Sequence, residues 1–270
     1  MSFQPIVPMS GYVGWRFLQR TEEAQREAHA QSGETARLTD YFRENIGKVS
    51  SLDDFMADRQ LVRVALEAFG LGEDLNATAY VRKVIEEGTI DSESFANRLT
   101  DTRYADFAEA LGFGNIGGAG RTQFVGFTDD IVTRFEAKQF EEAVGDQNED
   151  MRLALNVESS LSDVMDSQSS KAARWYAIMG NEPLRAVFDT AFGFSDAFAQ
   201  IDIDQQLEGY ESRARSLFGT DDPADFTDPE TQEKLTRLFL VRSEANQFAA
   251  ATSGSIALSL LQSMPNLNEY

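Results

Sequence analysis

Apolar positions along this chain recur in steps of three and four, the spacing of one buried face of an α-helix. Residues 58–71 set the pattern. Leu61, Val62, Ala65, Leu66 and Phe69 share a face, and Gly70 and Leu71 follow. Residues 101–113 and 181–194 follow the same recipe, an apolar face running into Gly112 or Gly193 and then Phe. Glycine at that point can take the left-handed conformation that ends a helix. Alternating apolar–polar runs are nearly missing, and no Asn-Gly or Asp-Gly turn occurs. The pattern predicts an all-α, multi-helix bundle built from repeated short helix–Gly units, with long N- and C-terminal helices.

In chain order, Pro5, Pro8 and Gly11 mark residues 1–14 as a mobile arm. Residues 15–31 predict a helix whose apolar content sits in its first turn, at Trp15, Phe17 and Leu18. Ser50 and Ser51 before Asp53 and Asp54 suit a helix cap with acids near the positive helix end. Helices are expected over 77–87, over 91–99 with Asp91 as cap, and over 103–111. Residues 112–127 carry six glycines and form the main break. Further helices are expected over 128–144, 151–165, 171–179, 181–192 and 204–218. A long one starts at Pro229, kinks at Gly254 and stops at Pro265. The expected organisation is an arm (1–14), an N-terminal helical region (15–112), a connection (113–127) and a C-terminal helical region (128–270). A single body is the alternative, if the third helix–Gly unit packs on the first two.

Composition narrows the chemistry. Apolar residues make up 42% of the 270, with 20 Phe, enough for a sizeable core. The net charge of −21 repels phosphate backbones and anionic lipid, so no nucleic-acid partner is expected. There is no cysteine, which removes thiolate catalysis and Cys-ligated metal sites. No run of 18 apolar residues exists, so no membrane insertion is expected. The N-terminus lacks the basic start and apolar core of a secretory signal.

Candidate reactive groups are few. His29 is the only histidine and falls on the polar part of the first helix, where a surface residue is expected. Residues 112–117 match G-x-G-x-x-G, but a helix precedes them where a dinucleotide site needs a strand. A helix stop and a flexible connection are expected there. The acidic clusters fail the calcium-loop spacing. Counting from Asp221 puts Phe226 and Gln232 where Gly and Glu are needed, and counting from Asp146 puts Met151 and Val157 there. No catalytic residue, cofactor or metal is expected.

The C-terminal stretch carries a longer stripe. Leu238, Val241, Ala245, Phe248 and Thr252 step by three and four, and Ile256, Leu260 and Met264 continue by fours. Residues 245–268 hold no charged side chain. The stripe reads either as a core helix or as a docking helix. Candidate partner contacts are Trp15, Phe17 and Leu18 at one end of the chain and Phe248, Ile256, Leu260 and Met264 at the other. Self-association through the terminal helices is a further expectation. The words Ala245-Asn-Gln and Leu258-Ser-Leu-Leu261 resemble the end of bacterial flagellins, at a different spacing.

A set of words across the chain carries a second resemblance. They are Gly14-Trp15, Tyr41-Phe-Arg43, Arg63 through Ala68-Phe-Gly-Leu71, Ala96-Asn-Arg-Leu99 and Arg103-Tyr104. Phe140-Glu141, Ala143-Val-Gly145, Arg152 with Ala154-Leu-Asn156, Trp175, Pro183-Leu-Arg185, Asp204-Gln-Gln-Leu207 and Phe226 with Asp228 complete the set. Together they resemble an alphaproteobacterial domain-of-unknown-function family encoded among flagellar genes. Glu182 departs from it, where a smaller residue is expected. The resemblance transfers no catalytic residue. It implies a non-enzymatic interaction or structural protein of flagellar assembly, with flagellar components as protein partners, sited in the cytoplasm or exported to the flagellum. A cytosolic helper that binds flagellar subunits is the alternative, and an acid-rich enzyme stands third.

Overall fold

The computed structural model describes residues 3–263, and side chains as far as residue 252. The α-helices are α1 (Gly11–Ala30), α2 (Gly33–Asn45), α3 (Leu52–Ala57), α4 (Arg59–Ala68), α5 (Thr78–Glu87) and α6 (Arg103–Leu111). They continue with α7 (Phe127–Gly145), α8 (Glu149–Ser167), α9 (Lys171–Gly180), α10 (Glu182–Phe192), α11 (Ile203–Phe218) and α12 (Pro229–Ser263). Single 3₁₀ turns join several of them, and no strand occurs among the described residues. The all-α class read from the sequence is the class observed. No helix of the described residues is long and apolar enough to cross a membrane.

Local chemistry sets the helix ends. The Ser51 hydroxyl accepts from the Asp54 N–H, Asp58 caps α4 and Asn181 caps α10, each satisfying donors that helix geometry leaves open. Gly70, Gly112 and Gly193 have φ of 67°, 70° and 75°, the left-handed stop expected of them. The Leu71 and Phe194 N–H groups then donate back to Leu66 O and Asp189 O, both at 2.9 Å. The likeness of the three units is confined to these ends. α4 packs on α7 and α2, α6 on α5, and α10 on α12 and α8.

Two apolar cores result, and they do not divide at the glycine-rich connection. One gathers α2 to α6 around Phe42, Phe55, Leu66 and Phe107, and takes in Ile131, Val132 and Phe135 from the first half of α7. The other gathers α8 to α12, with Phe140 and Val144 from the second half of α7 and Trp15 and Leu18 from α1. Its centre is Trp175, with Phe188, Tyr210 and Phe226 edge-on at 5.7, 5.5 and 5.9 Å. The Trp175 indole N–H donates to Asp221 O at 2.9 Å. The first helix thus belongs with the C-terminal half, and α7 serves both halves.

Four local expectations are corrected. Residues 3–10 are tied down rather than loose. Phe3 N–H donates to Ser32 Oγ at 3.0 Å, Ile6 N–H to Gln25 Oε1 at 2.5 Å, and Gln147 Nε2 to Pro5 O at 2.6 Å. Distant side chains supply these partners, so local spacing could not reveal them. Residues 91–99 make a 3₁₀ turn only at Ala96–Arg98. Asn97 donates to Thr89 O and Asp91 O there, and Glu87 accepts from the Phe95 N–H, bonds that compete with a helix.

The glycine-rich connection is docked, not free. A Cβ on Gly114 would lie 2.5 Å from both Ile85 O and Glu86 O, so only glycine lets the two backbones meet. Asn115 accepts from Thr89 N–H at 2.8 Å and donates to Thr89 Oγ1 at 3.0 Å. Finally, α12 runs through Gly254 without interruption. One glycine inside a helix costs only about 1 kcal/mol, too little to force a break.

Candidate functional site

Because α7 belongs to both cores, its exposed side becomes the place where they meet. A groove of about 1060 Å³ runs there between α1, α7 and α8. Ala137, Phe140 and Leu155 contribute apolar surface, and exposed Phe124 and Val125 from the glycine-rich segment form a lip. Arg134, Lys138, Glu141 and Asp163 line both this groove and a smaller polar chamber between the cores. The chamber, about 100 Å³, has room for a few waters.

The chamber is wired by charge. Arg134 grips Asp163 through two hydrogen bonds of 3.0 and 2.9 Å, and its Cζ lies 5.3 Å from the Phe69 ring centre. Glu141 is buried and accepts from Lys138 Nζ at 2.8 Å and Asn156 Nδ2 at 3.2 Å. Asn156 accepts in turn from Ser160 Oγ at 2.8 Å. Asp106, on α6, faces the same chamber with no side-chain hydrogen-bond partner among the described residues. Burial, and then the Asp163 carboxylate, push it up to about 7, against the pull of Arg134. Burial, then Glu67, also raise Glu142. Asp106 is therefore a group that can hold or release a proton near neutrality. No group of three His, Cys, Asp or Glu among the described residues comes together to hold a metal ion.

The residues singled out as partner contacts fare differently. Trp15 and Leu18 are 6% and 0% exposed, sealed in their own core, and are not contacts for a partner. The first-turn apolar cluster they form is the face by which α1 packs on the C-terminal half. Phe17 is half-buried. Phe248 is 75% exposed. The side chains of Ile256 and Leu260, and the whole of Met264, lie outside the described residues. His29 is another correction, since it is buried edge-on to Phe140 with its Nδ1 unpartnered among the described residues. Burial lowers its pKa. The sequence placed neither His29 in the interior nor Asp106, Arg134 and Asp163 together. Their meeting depends on how α6, α7 and α8 pack, and spacing within a helix carries no sign of that.

α12 begins firmly held. Glu233 accepts from Tyr12 Oη at 2.6 Å and Gln19 Nε2 at 3.1 Å, with Arg16 at 3.4 Å. Farther along, Ser243 and Gln247 donate to Asp150 at 2.7 and 2.9 Å. From Glu244 to Thr252 every residue is exposed, although Gln247 still reaches Asp150 and Ala245 and Asn246 line a cleft beside the end of α10.

A model of the family described as "Protein of unknown function (DUF1217)" matches residues 68–231. That span holds the whole chamber and stops just inside α12. The X-ray crystal structure of protein AGR_C_984 from Agrobacterium tumefaciens is similar to this chain at 30% identity and a TM-score of 0.73. The match covers 89% of this chain and 98% of that one. No curated protein matches. With more than half its length matched by the family model, the chain belongs to the DUF1217 family of proteins of unknown function.

Proposed function

We propose that this chain is a non-enzymatic interaction protein of bacterial flagellar assembly that engages a protein partner through the exposed stretch of α12. The observation that carries the reading is the exposure of residues 244–252 on all sides, with Phe248 at its centre. A helical stretch with few tertiary contacts is marginal in water. An apolar side chain on such a helix is what a partner's groove takes up. The flagellar setting is supported by the sequence resemblance. The test is co-purification of flagellar axial subunits with the full chain, against a Phe248→Asp variant. Recovery with the former and loss with the latter are expected. Absence of axial subunits from both sinks the reading.

A second reading, a cytosolic helper that cradles flagellar subunits, draws on the groove beside α7 and its exposed lip of Phe124 and Val125. There a Phe124→Asp variant, not Phe248→Asp, is the one expected to lose the subunit. The third, an acid-rich enzyme, draws on Asp106, an unpaired carboxyl in a cleft with a pKa near neutrality. Turnover lost in Asp106→Asn is its expected signature.

A further inference from the structure

We infer that two copies of this chain pair reciprocally, the lip of Phe124 and Val125 on each copy seated in the groove beside α7 of the other. This pairing stands apart from the role proposed for α12. Charge decides the place. Each copy carries −21, so most approaches of two bodies set carboxylates against carboxylates. Residues 110–128 hold one charged side chain, and it is basic, Arg121. The same segment shows Ile116 and Phe124 to solvent, at 90% and 61%, and Val125 in full. Beside the lip, Gln123 Nε2 donates to Gly47 O at 2.6 Å, which ties the segment to the body. Apolar side chains held outward together in this way mark a contact surface.

The groove offers what the lip lacks. Ala137, Phe140 and Leu155 give it apolar surface, and its volume of about 1060 Å³ has room for a phenylalanine and a valine side chain. Most of its charges are already paired, Arg26 with Glu22, Lys138 with Glu141 and Arg134 with Asp163. Arg121 and Glu158 line it as well, and neither makes an ion pair or a side-chain hydrogen bond among the described residues. Burial raises the pKa of Glu22, Arg26 opposes the rise, and Glu158 adds to it, so this rim is short of positive charge. Lip and groove adjoin on one face of the molecule. A two-fold axis through that face sets each lip in the other groove and brings each Arg121 to Glu158 of the partner copy. The contact is small, on the order of 1,000 Å² in total, so micromolar association is expected.

Sedimentation of the full chain over the micromolar range is the test, and a monomer–dimer equilibrium is the expected result. Phe124→Asp and Val125→Asp should each weaken the dimer by about tenfold or more, with thermal unfolding of the monomer unchanged. Phe248→Asp, on α12, should leave the dimer as it is. Charge reversal then reads the geometry. Arg121→Glu and Glu158→Arg should each weaken the dimer alone, since like charges then meet twice across the two-fold axis. Mixed in equal amounts, the two variants should pair with each other at the parental affinity, because each supplies the charge that the other lacks. A monomer at every concentration overturns the inference, as does a dimer indifferent to Phe124→Asp or one lost in Phe248→Asp. Two weakened single variants that do not recover on mixing overturn the reciprocal geometry. A monomer that binds an axial subunit through Phe124 overturns pairing and favours the helper reading. A dimer that binds no axial subunit leaves pairing standing and sinks the proposed function.

Discussion

Arg134 on α7 holds Asp163 on α8 by both of its terminal nitrogens, and Asp106 faces the same chamber without such a partner. Two carboxylates share one guanidinium, and one of them has the bonds. The pair is partly exposed, at 42% and 30% for the two side chains, so its strength is that of a screened ion pair. A double-mutant cycle on Arg134→Ala and Asp163→Ala should give a coupling of about 0.5–1 kcal/mol. A coupling of zero would mean that the two prongs do not persist in solution.

Asp106 should make stability depend on pH. Its carboxyl titrates near 3.8 when unfolded and at about 7 when folded. The folded state therefore binds the proton more tightly. The stability this confers is complete below the unfolded value and is lost as pH rises through about 7. Asp106→Asn should match the parent chain near the unfolded value and exceed it above the folded one, by on the order of 1–3 kcal/mol. Denaturant titrations at acidic and mildly alkaline pH measure this directly. A variant equally stable to its parent at both would show that Asp106 is well hydrated.

Gly114 and Gly120 belong to one glycine-rich segment and should respond in opposite ways. Alanine at Gly114 meets the carbonyl oxygens of Ile85 and Glu86 and should destabilise by about 2–4 kcal/mol. Alanine at Gly120 meets nothing within 4 Å and should be neutral within about 0.5 kcal/mol. Equal melting of the two variants would mean that the segment does not dock on α5.

Trp15 and Phe248 should separate packing from display. Trp15→Ala empties a buried site and should cost about 3–5 kcal/mol. Phe248→Ala removes an exposed ring and should leave unfolding of the monomer within about 0.5 kcal/mol. Thermal and denaturant unfolding of both variants would tell.

Tyr210 is fully buried and donates its hydroxyl proton to Asp189 Oδ1 at 2.5 Å. Arg185 approaches the other oxygen at 3.3 Å. Burial, then the Asp189 charge, raise the Tyr210 pKa, so the phenol stays protonated as donor. Tyr210→Phe removes a donor to a charged acceptor and should cost about 1.5–3 kcal/mol. An unchanged unfolding midpoint would mean that water replaces the hydroxyl.

Helix identity and helix ends were largely legible in the chain. Both are written locally, in the spacing of Leu61, Val62, Ala65 and Leu66 and in stops such as Gly70 and Gly193. The cap at Ser51 was legible for the same reason. Partner choice was not. Trp15 and Leu18 look like free apolar groups when read along α1, because the surface they cover lies on α7, α8 and α12. His29 reads as a polar-face residue until Phe140 packs on it. The chamber of Asp106, Arg134 and Asp163 is assembled by the packing of three successive helices on one another, and no pattern within any one of them anticipates it.

The sharing of α7 bears on how the molecule comes apart. Its early turns are embedded in one core and its late turns in the other, and α1 crosses to the half that follows it in the chain. A protease cut within 113–127 would leave the front fragment without α7 and carrying a stray α1, and the rear fragment with bare Ile131 and Phe135. Neither piece keeps a closed interior. Melting is therefore expected as one cooperative transition rather than two.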